Sequence, residues 1–394
     1  MIIKRNLLPY LLADAQKSPV VAILGPRQSG KTTLARVAFN KHRYVSLEDL
    51  DSRTFATTDP RGFLQDYKNE YGIILDEVQH VPSLLSYIQT DVDLNYKPGY
   101  YILTGSQNFL LNQSITQTLA GRIALHTLLP LSISEIKHEN LLPDGPEKAM
   151  HNGFYPLMYS RKDNPNKWYR DYIRTYVERD VRTLAHISDL DAFQRFMKLC
   201  AGHIGQEINF SALGSDAGIS YNTAKSWLSI LQASYIVFFL QPHFKNFNKR
   251  IVKSPKLFFY DTGLACSLLG IETEDQLLSH YLRGGIFESM IIADLFKNSF
   301  NADRLPHLYF WCDKTKHEVD CIIERGTKLY PIEIKSGKTI SPDYFDGLSY
   351  WNELSGGSPD NSFVVYGGND DQKRSRGNVL SWQNVSKIDD HVNT

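Results

Sequence analysis

Positions 20 to 39, VVAILGPRQSGKTTLARVAF, decide the fold. An apolar run enters a glycine-bounded loop and leaves it with apolar residues at Leu34, Val37 and Ala38, which predicts buried strand, loop and helix in that order. Gly25, Gly30, Lys31 and Thr32 complete the spacing G-x-x-x-x-G-K-[ST]. Glycines in such a loop let backbone N–H groups wrap phosphate oxygens, and the helix N-terminus adds a favourable dipole. Lys31 then reaches toward β- and γ-phosphate oxygens, and Thr32 offers a hydroxyl to Mg²⁺. The expected ligand is ATP with Mg²⁺, cradled by Gly25, Pro26, Arg27, Gln28, Ser29, Gly30, Lys31, Thr32 and Thr33.

A second strand should bring an acid to that metal. In YGIILDEVQHV, residues 71 to 81, the apolar residues Ile73 to Leu75 end in Asp76-Glu77. Asp76 stands where a metal or its water needs a ligand, and Glu77 where a base could polarise an attacking water. Together they predict hydrolysis rather than binding alone. A third strand in YYILTGSQN, residues 100 to 108, carries Thr104 and Ser106 to the end at which parallel sheets bind ligands, so either can sense the γ-phosphate. Arg122, in QTLAGRIALHTLLPLS, is a candidate stabiliser of transferring charge, in cis or toward a neighbouring subunit; an ordinary loop arginine is the alternative.

The strings GPRQSGKTT, IILDEVQ, ILTGSQ and LAGRIALHTLLPLSISE, followed by WYRDYIRTYVERDV and KSPKLFFYDTGL, resemble the prokaryotic AAA-type ATPases that carry a C-terminal domain of unknown function. The resemblance covers nearly the whole chain. It implies an AAA-like P-loop α/β domain, a helical segment, a winged helix and a small nuclease-like α/β end. The corresponding boundaries are 1–140 for the ATPase domain, 141–200 for a helical lid or connector, 201–275 for the winged helix and 276–394 for the restriction-endonuclease-like domain.

From about Asn166 to Leu199 the pattern is helical, with Trp168, Tyr172, Ile173, Tyr176 and Val177 spaced for a buried stripe. Arg179 is placed to reach the nucleotide as a lid arginine, or to pair locally with Glu178 or Asp180. Residues 209 to 243 have the rhythm of helix-turn-helix: Ala212 and Leu213, a turn at Gly218, then Thr223 to Leu231. Two strands around a polar turn come next, and the turn is basic: Lys245, Lys249, Arg250, Lys253 and Lys256 interleave with Phe244 and Phe247. Such an edge suits a DNA or RNA backbone. Winged helices also serve as packing modules, and exposed lysines deter edge-to-edge aggregation.

In LYPIEIKSG, residues 329 to 337, strand alternation sends Glu333 and Lys335 to one face and Ile332 and Ile334 to the other. A strand from Glu318 to Ile323 precedes it and carries Asp320, and the helical stretch GGIFESMIIADLF, residues 284 to 296, carries Glu288. Glu288, Asp320, Glu333 and Lys335 resemble the PD-(D/E)XK nuclease core. That likeness implies a catalytic site, active or relict, in which Asp320 and Glu333 hold a divalent metal, Glu288 completes the set, and Lys335 positions the metal-bound water or stabilises the phosphorane charge. SFVVYGG, residues 362 to 368, reads as a last strand.

Composition limits the rest. Forty-three basic and forty-three acidic residues cancel, so nucleic-acid contact has to come from a local patch. Cys200, Cys266, Cys312 and Cys321 lie far apart, which argues against a zinc site and a disulfide framework. Pro9 and Asp14 interrupt the apolar stretch after Lys4 and Arg5, and no window approaches a membrane span. A cytoplasmic, non-membrane protein is expected, with nucleotide as its first partner.

Overall fold

Val20–Gly25 forms a strand, β1, buried along its whole length. Its alternate residues serve two cores: Val20, Ala22 and Leu24 pack with Phe63, Leu84 and Ile88, while Val21 and Ile23 pack with Leu7, Leu11 and Leu34. A strand covered on both faces reads as an unbroken apolar run, which is why the sequence shows no alternation there. The computed structural model describes residues 1–106, 118–177, 189–243 and 254–393.

Four more strands join β1: β2 (Arg43–Ser46), β3 (Ile73–Asp76), β4 (Tyr101–Ser106) and β5 (Ile123–Thr127). The order is β2-β3-β4-β1-β5 and every pairing is parallel. Helices Lys31–Ala38, Leu50–Thr58, Pro60–Tyr67 and Leu84–Leu94 make the crossovers. All strand C-termini therefore face one edge, and the 26–30 loop, Asp76 and Ser106 gather there.

Downstream, the helices Pro165–Tyr172 and Leu190–Gly202 lie on one core with most of the remaining chain. Of that stripe Tyr172 is buried while Trp168 and Ile173 are half-buried, Tyr169 beside them is buried too, and Trp168 stacks on Tyr172. The side chains of Tyr176 and Val177, and residues Glu178, Arg179 and Asp180, lie outside the described residues. Helices Phe210–Ala217 and Tyr221–Ala233 come next, turned at Gly218 as their sequence predicts, and Asn209 and Ser220 cap them.

β6 (Val237–Pro242) and β7 (Lys256–Phe259) then pair antiparallel. They do not stand alone as a hairpin. β6 also pairs in parallel with β8 (Leu308–Cys312), at Gln241 with Tyr309 and Pro242 with Phe310. An eight-stranded sheet results, in the order β12-β13-β11-β10-β9-β8-β6-β7. Its other members are β9 (Glu318–Arg325), β10 (Lys328–Lys335), β11 (Phe363–Tyr366), β12 (Gln372–Arg374) and β13 (Gly377–Ser381). The strand read as the last, at Val364 and Val365, is succeeded by two more. β12 is exposed throughout and β13 is short, so neither offers an apolar alternation to read.

The long helix Arg283–Asn301 covers one face of this sheet. Its Ile286, Met290 and Ile291 share a core with Phe193, Trp227, Phe258 and Ile332. Trp311, Trp351 and Val364 fill the opposite face beneath the helix Asp346–Ser355. Among the described residues no helix is long and apolar enough to cross a membrane.

Because one core joins residues of the helical segment, the β6–β7 pair and the C-terminal sheet, residues 276–394 expressed alone should give no cooperative thermal melt by circular dichroism. The full chain should melt cooperatively.

Candidate functional site

The loop after β1 is built for close approach. Gly25 has φ +155°, and a Cβ there would lie 2.1 Å from the carbonyl oxygen of Leu128, so only glycine fits. Gln28, at φ 65°, and Gly30, at φ 94°, turn the chain back on itself before the helix Lys31–Ala38. Lys31 is buried, and its Nζ donates to the carbonyl of Pro26 at 2.8 Å, which folds the side chain back over the loop.

Asp76 ends β3 beside this loop. Thr32 Oγ1 donates to its Oδ1 at 2.8 Å, Tyr44 OH donates to its Oδ2 at 2.8 Å, and Thr104 Oγ1 donates to Oδ1 as well. Burial and the adjoining Asp76 carboxylate push the Tyr44 hydroxyl up to about 12, so it remains a donor near neutral pH. A hydroxyl and a carboxylate side by side at a phosphate loop are the hard oxygen donors that suit Mg²⁺.

Glu77 is held just beyond, at φ 56°, a left-handed conformation rare for glutamate and common at functional sites. Its N–H donates to Thr104 Oγ1 at 3.3 Å. Its Oε2 accepts from the Ser106 N–H at 3.3 Å and from Gln79 Nε2, which also reaches Ser106 Oγ at 3.0 Å. Burial alone would raise the Glu77 carboxyl; the Lys31 ammonium, then Gln79, Arg27 and Ser106, outweigh it and hold the group below its ordinary value. It is ionised and oriented, as a water-activating base must be.

The loop and Glu77 border a cavity of about 710 Å³. Arg27, Gln28, Ser29, Gly30, Lys31, Thr32 and Thr33 form one wall with Glu77, and Met1 to Arg5, Leu8, Leu131, Pro156, Leu157 and Arg161 form the other. Arg122 is not part of it. It precedes β5 at the opposite end of the sheet, where Asp93 clasps it at 2.5 and 3.0 Å. In cis it does not face the phosphates.

A second cluster lies in the eight-stranded sheet. β9 and β10 pair antiparallel with Cys321 opposite Ile332, which brings Asp320 beside Glu333. Asp320 Oδ2 accepts from the Ile334 N–H at 2.7 Å and lies 3.7 Å from Lys335 Nζ, which also pairs with Glu333. Glu288 approaches from the long helix. Lys256 Nζ lies 3.2 Å from Glu288 Oε1 and pairs with Glu318 too. Burial, reinforced by Asp320 and only partly offset by Lys335, pushes Glu333 up to about 8. Burial likewise lifts Glu288 to about 8 against the pull of Lys256. Lys256 was expected on an exposed basic edge. It is 7% exposed instead, because the first position of β7 faces inward onto these acids. Phe244, Lys245, Phe247, Lys249, Arg250 and Lys253 lie outside the described residues.

Residues 17–137 match the family model of an AAA domain. The N-terminal third is thus a P-loop domain of the AAA type. Residues 145–275 and 283–385 match two models described as domains of unknown function, DUF8612 and DUF4143. The uncharacterized protein Rv2008c of Mycobacterium tuberculosis is 28% identical over 346 residues, 86% of this chain and 76% of its own. Among solved structures, the Walker-type ATPase of Pyrococcus abyssi is 16% identical with a TM-score of 0.46, covering 68% of this chain and 96% of that one. The RuvB Holliday junction branch migration motor of Thermotoga maritima is 15% identical with a TM-score of 0.30, covering 59% and 86%.

Around the AAA domain, the sequence left three contributors unread. Tyr44 acts on Asp76 through strand pairing, with Ser46 opposite Asp76, and no local motif marks it. Gln79 comes two residues after Glu77 and was visible only as part of DEVQ. Arg5 is the third: its Nε donates to Glu135 Oε1 at 3.0 Å, Nη1 to the Ser29 carbonyl at 2.8 Å and Nη2 to the Leu129 carbonyl at 2.7 Å. Arg5→Ala would leave Glu135 charged and buried, so urea denaturation should show a loss of about 3–5 kcal/mol. Arg5→Lys should recover only part of it, because an ammonium cannot make the three divergent bonds.

Proposed function

We propose that the chain binds and hydrolyses ATP, and that its nucleotide cycle governs the C-terminal module. The observation that carries this is the hydrogen-bonded set of Thr32, Asp76, Thr104 and Glu77 at the mouth of the phosphate loop. Lys31 would bind the β- and γ-phosphate oxygens, and the loop N–H groups the remainder. Thr32 and Asp76 would hold Mg²⁺, which neutralises phosphate charge when bound. Glu77, fixed by Ser106 and Gln79, would accept a proton from the attacking water, and Thr104 would report the γ-phosphate by its bonds to Asp76 and Glu77. An arginine for the transferring charge would come from Arg161 on the pocket wall or from Arg122 of an adjoining copy.

The helix-turn-helix with its β6–β7 strands, read as a winged helix, and the acid–lysine cluster, read as nuclease-type, support DNA or RNA as the partner of the C-terminal module. Cleavage there would require Glu333 and Lys335. A second reading, in which the module holds a partner without cutting, is favoured by Lys256, which already neutralises Glu288 and Glu318.

Lys31→Ala should abolish binding of a fluorescent ATP analogue. Glu77→Gln should keep that binding while phosphate release falls by about 10²–10⁴-fold; unchanged release in Glu77→Gln would remove it from the base role. Incubation with single- and double-stranded DNA and RNA separates the two readings of the module: cleavage lost in Lys335→Ala supports cutting, and ATP hydrolysis without any cleavage supports the switch.

A further inference from the structure

Strand β7 begins with a lysine where its own pattern calls for an apolar residue. Leu257, Phe258 and Phe259 are buried behind it, and Lys256 is buried with them. A buried ammonium is costly unless matched by acceptors, and Lys256 is matched by the acids of the C-terminal cluster. Their attraction holds its charge well above the ordinary lysine range against the effect of burial. Lys335 does the same for Asp320 and Glu333. Four acidic side chains thus share two side-chain cations from within the chain.

That arrangement does not fit a shared divalent ion. The ligand oxygens would have to converge, and among the described residues the trio of His, Cys, Asp or Glu side chains that does so within 4.8 Å is Asp14, His126 and Asp303, away from this cluster. Among the described residues Glu333 Oε2 is buried with no hydrogen-bond partner, and a Cβ on Gly347 would meet it at 3.4 Å. On the side of β7 the approach is closed, while Glu318 and Lys335 stay about a third exposed. Gly205 lies against the long helix, where a Cβ on it would meet Gly285 Cα at 3.3 Å and Glu288 Oε2 at 3.4 Å. The Gly205 N–H donates to the Leu257 carbonyl at 2.8 Å, Leu257 N–H to the Gln206 carbonyl at 3.0 Å, and Ile208 N–H to the Pro255 carbonyl at 2.9 Å. Lys256 is therefore clamped by backbone bonds on one side and by β6 on the other.

We propose that Lys256 closes the C-terminal site: its ammonium stands in the place of the cation, so the cluster takes no divalent metal in this conformation and opens only when β7 and residues 205–208 draw away together. This rests on reading the cluster as nuclease-type. It makes the contact between β7 and the long helix an internal inhibitor of that site.

The test uses the full chain without nucleotide, titrated with Mn²⁺ and followed by electron paramagnetic resonance of the free ion. Wild type, Lys256→Met and Lys256→Arg are compared, each alone and with Glu333→Gln, after thermal melts confirm folding. Lys256→Met should bind one additional Mn²⁺ roughly tenfold or more tightly than wild type. Glu333→Gln should remove that ion, and Lys256→Arg should behave as wild type. If wild type binds the same Glu333-dependent ion as tightly as Lys256→Met, the closure is overturned while the nuclease-type reading stands. If folded Lys256→Met gains no ion, both fall. Should Lys256→Met not fold, acetylation of native wild-type protein read by mass spectrometry decides: Lys256 should react roughly tenfold or more slowly than the exposed Lys328, and equal rates overturn the proposal.

Discussion

The buried guanidinium of Arg5 is the contact on which the two halves of the molecule depend. Its three donors reach the phosphate loop at Ser29, the exit of the AAA sheet at Leu129, and Glu135 in the first turn of the helix Ile133–His138. Glu135 is itself fully committed. It closes a capping box with Ser132 on that helix and accepts from the Asn6 N–H at 2.8 Å. A buried ion pair gives little net stability against an apolar pair of the same shape, but removing either member is expensive. Such a joint is better at fixing geometry than at adding stability, and here it fixes the loop that would hold phosphates to the first turn of the next segment.

The same joint adjoins the long helix that carries Glu288. The Ile133 N–H, two residues before Glu135, donates to Asp294 Oδ1 at 2.6 Å. Burial pushes Asp294 up to about 6 and pulls Lys297 down to about 8, each opposed by the other. Lys297 lies 4.1 Å over the ring of Phe154, whose N–H donates to Asp261 at 2.6 Å. The helical segment touches the phosphate loop a second time, where Tyr172 OH meets the Arg27 carbonyl at 3.4 Å. Loop and long helix are thus joined by directional polar contacts rather than by greasy surface alone, and directional contacts do not slide.

How much of this was legible in the sequence depends on the range of the interactions. The phosphate loop, Asp76-Glu77 and the strand ends were readable because glycine spacing, apolar runs and terminal polar residues all lie within a few positions of one another. Glu288, Asp320, Glu333 and Lys335 were found in order, and the β9–β10 register does bring the two strand acids together. Arg5 was not readable: its carboxylate partner is 130 residues away, and in isolation it is one cation before an amphipathic helix. Lys256 misled for a related reason. Flanked by other lysines and a proline, it has the local signature of an exposed basic turn, and only the pairing of β7 turns it inward. Merging of β6 with β8 was equally hidden, since parallel pairing between strands some seventy residues apart leaves no local mark.

A chain with balanced charge can still concentrate unlike charges in its interior, and it does so twice: around Arg5, Glu135, Asp294 and Lys297, and around Lys256, Lys335 and four acids. The long helix takes part in both, with Glu288 near one end and Asp294 and Lys297 two turns further on. At 1.5 Å per residue, Glu288 and Lys297 stand about 13 Å apart along it. A helix of that length behaves as a rigid strut, so the acid cluster cannot reset independently of the joint at Arg5. An apolar interface would tolerate small shifts of the phosphate loop without consequence. Charges held at hydrogen-bond distance in a poorly polarisable interior do not, because each lost contact leaves a buried ion with no water to replace it.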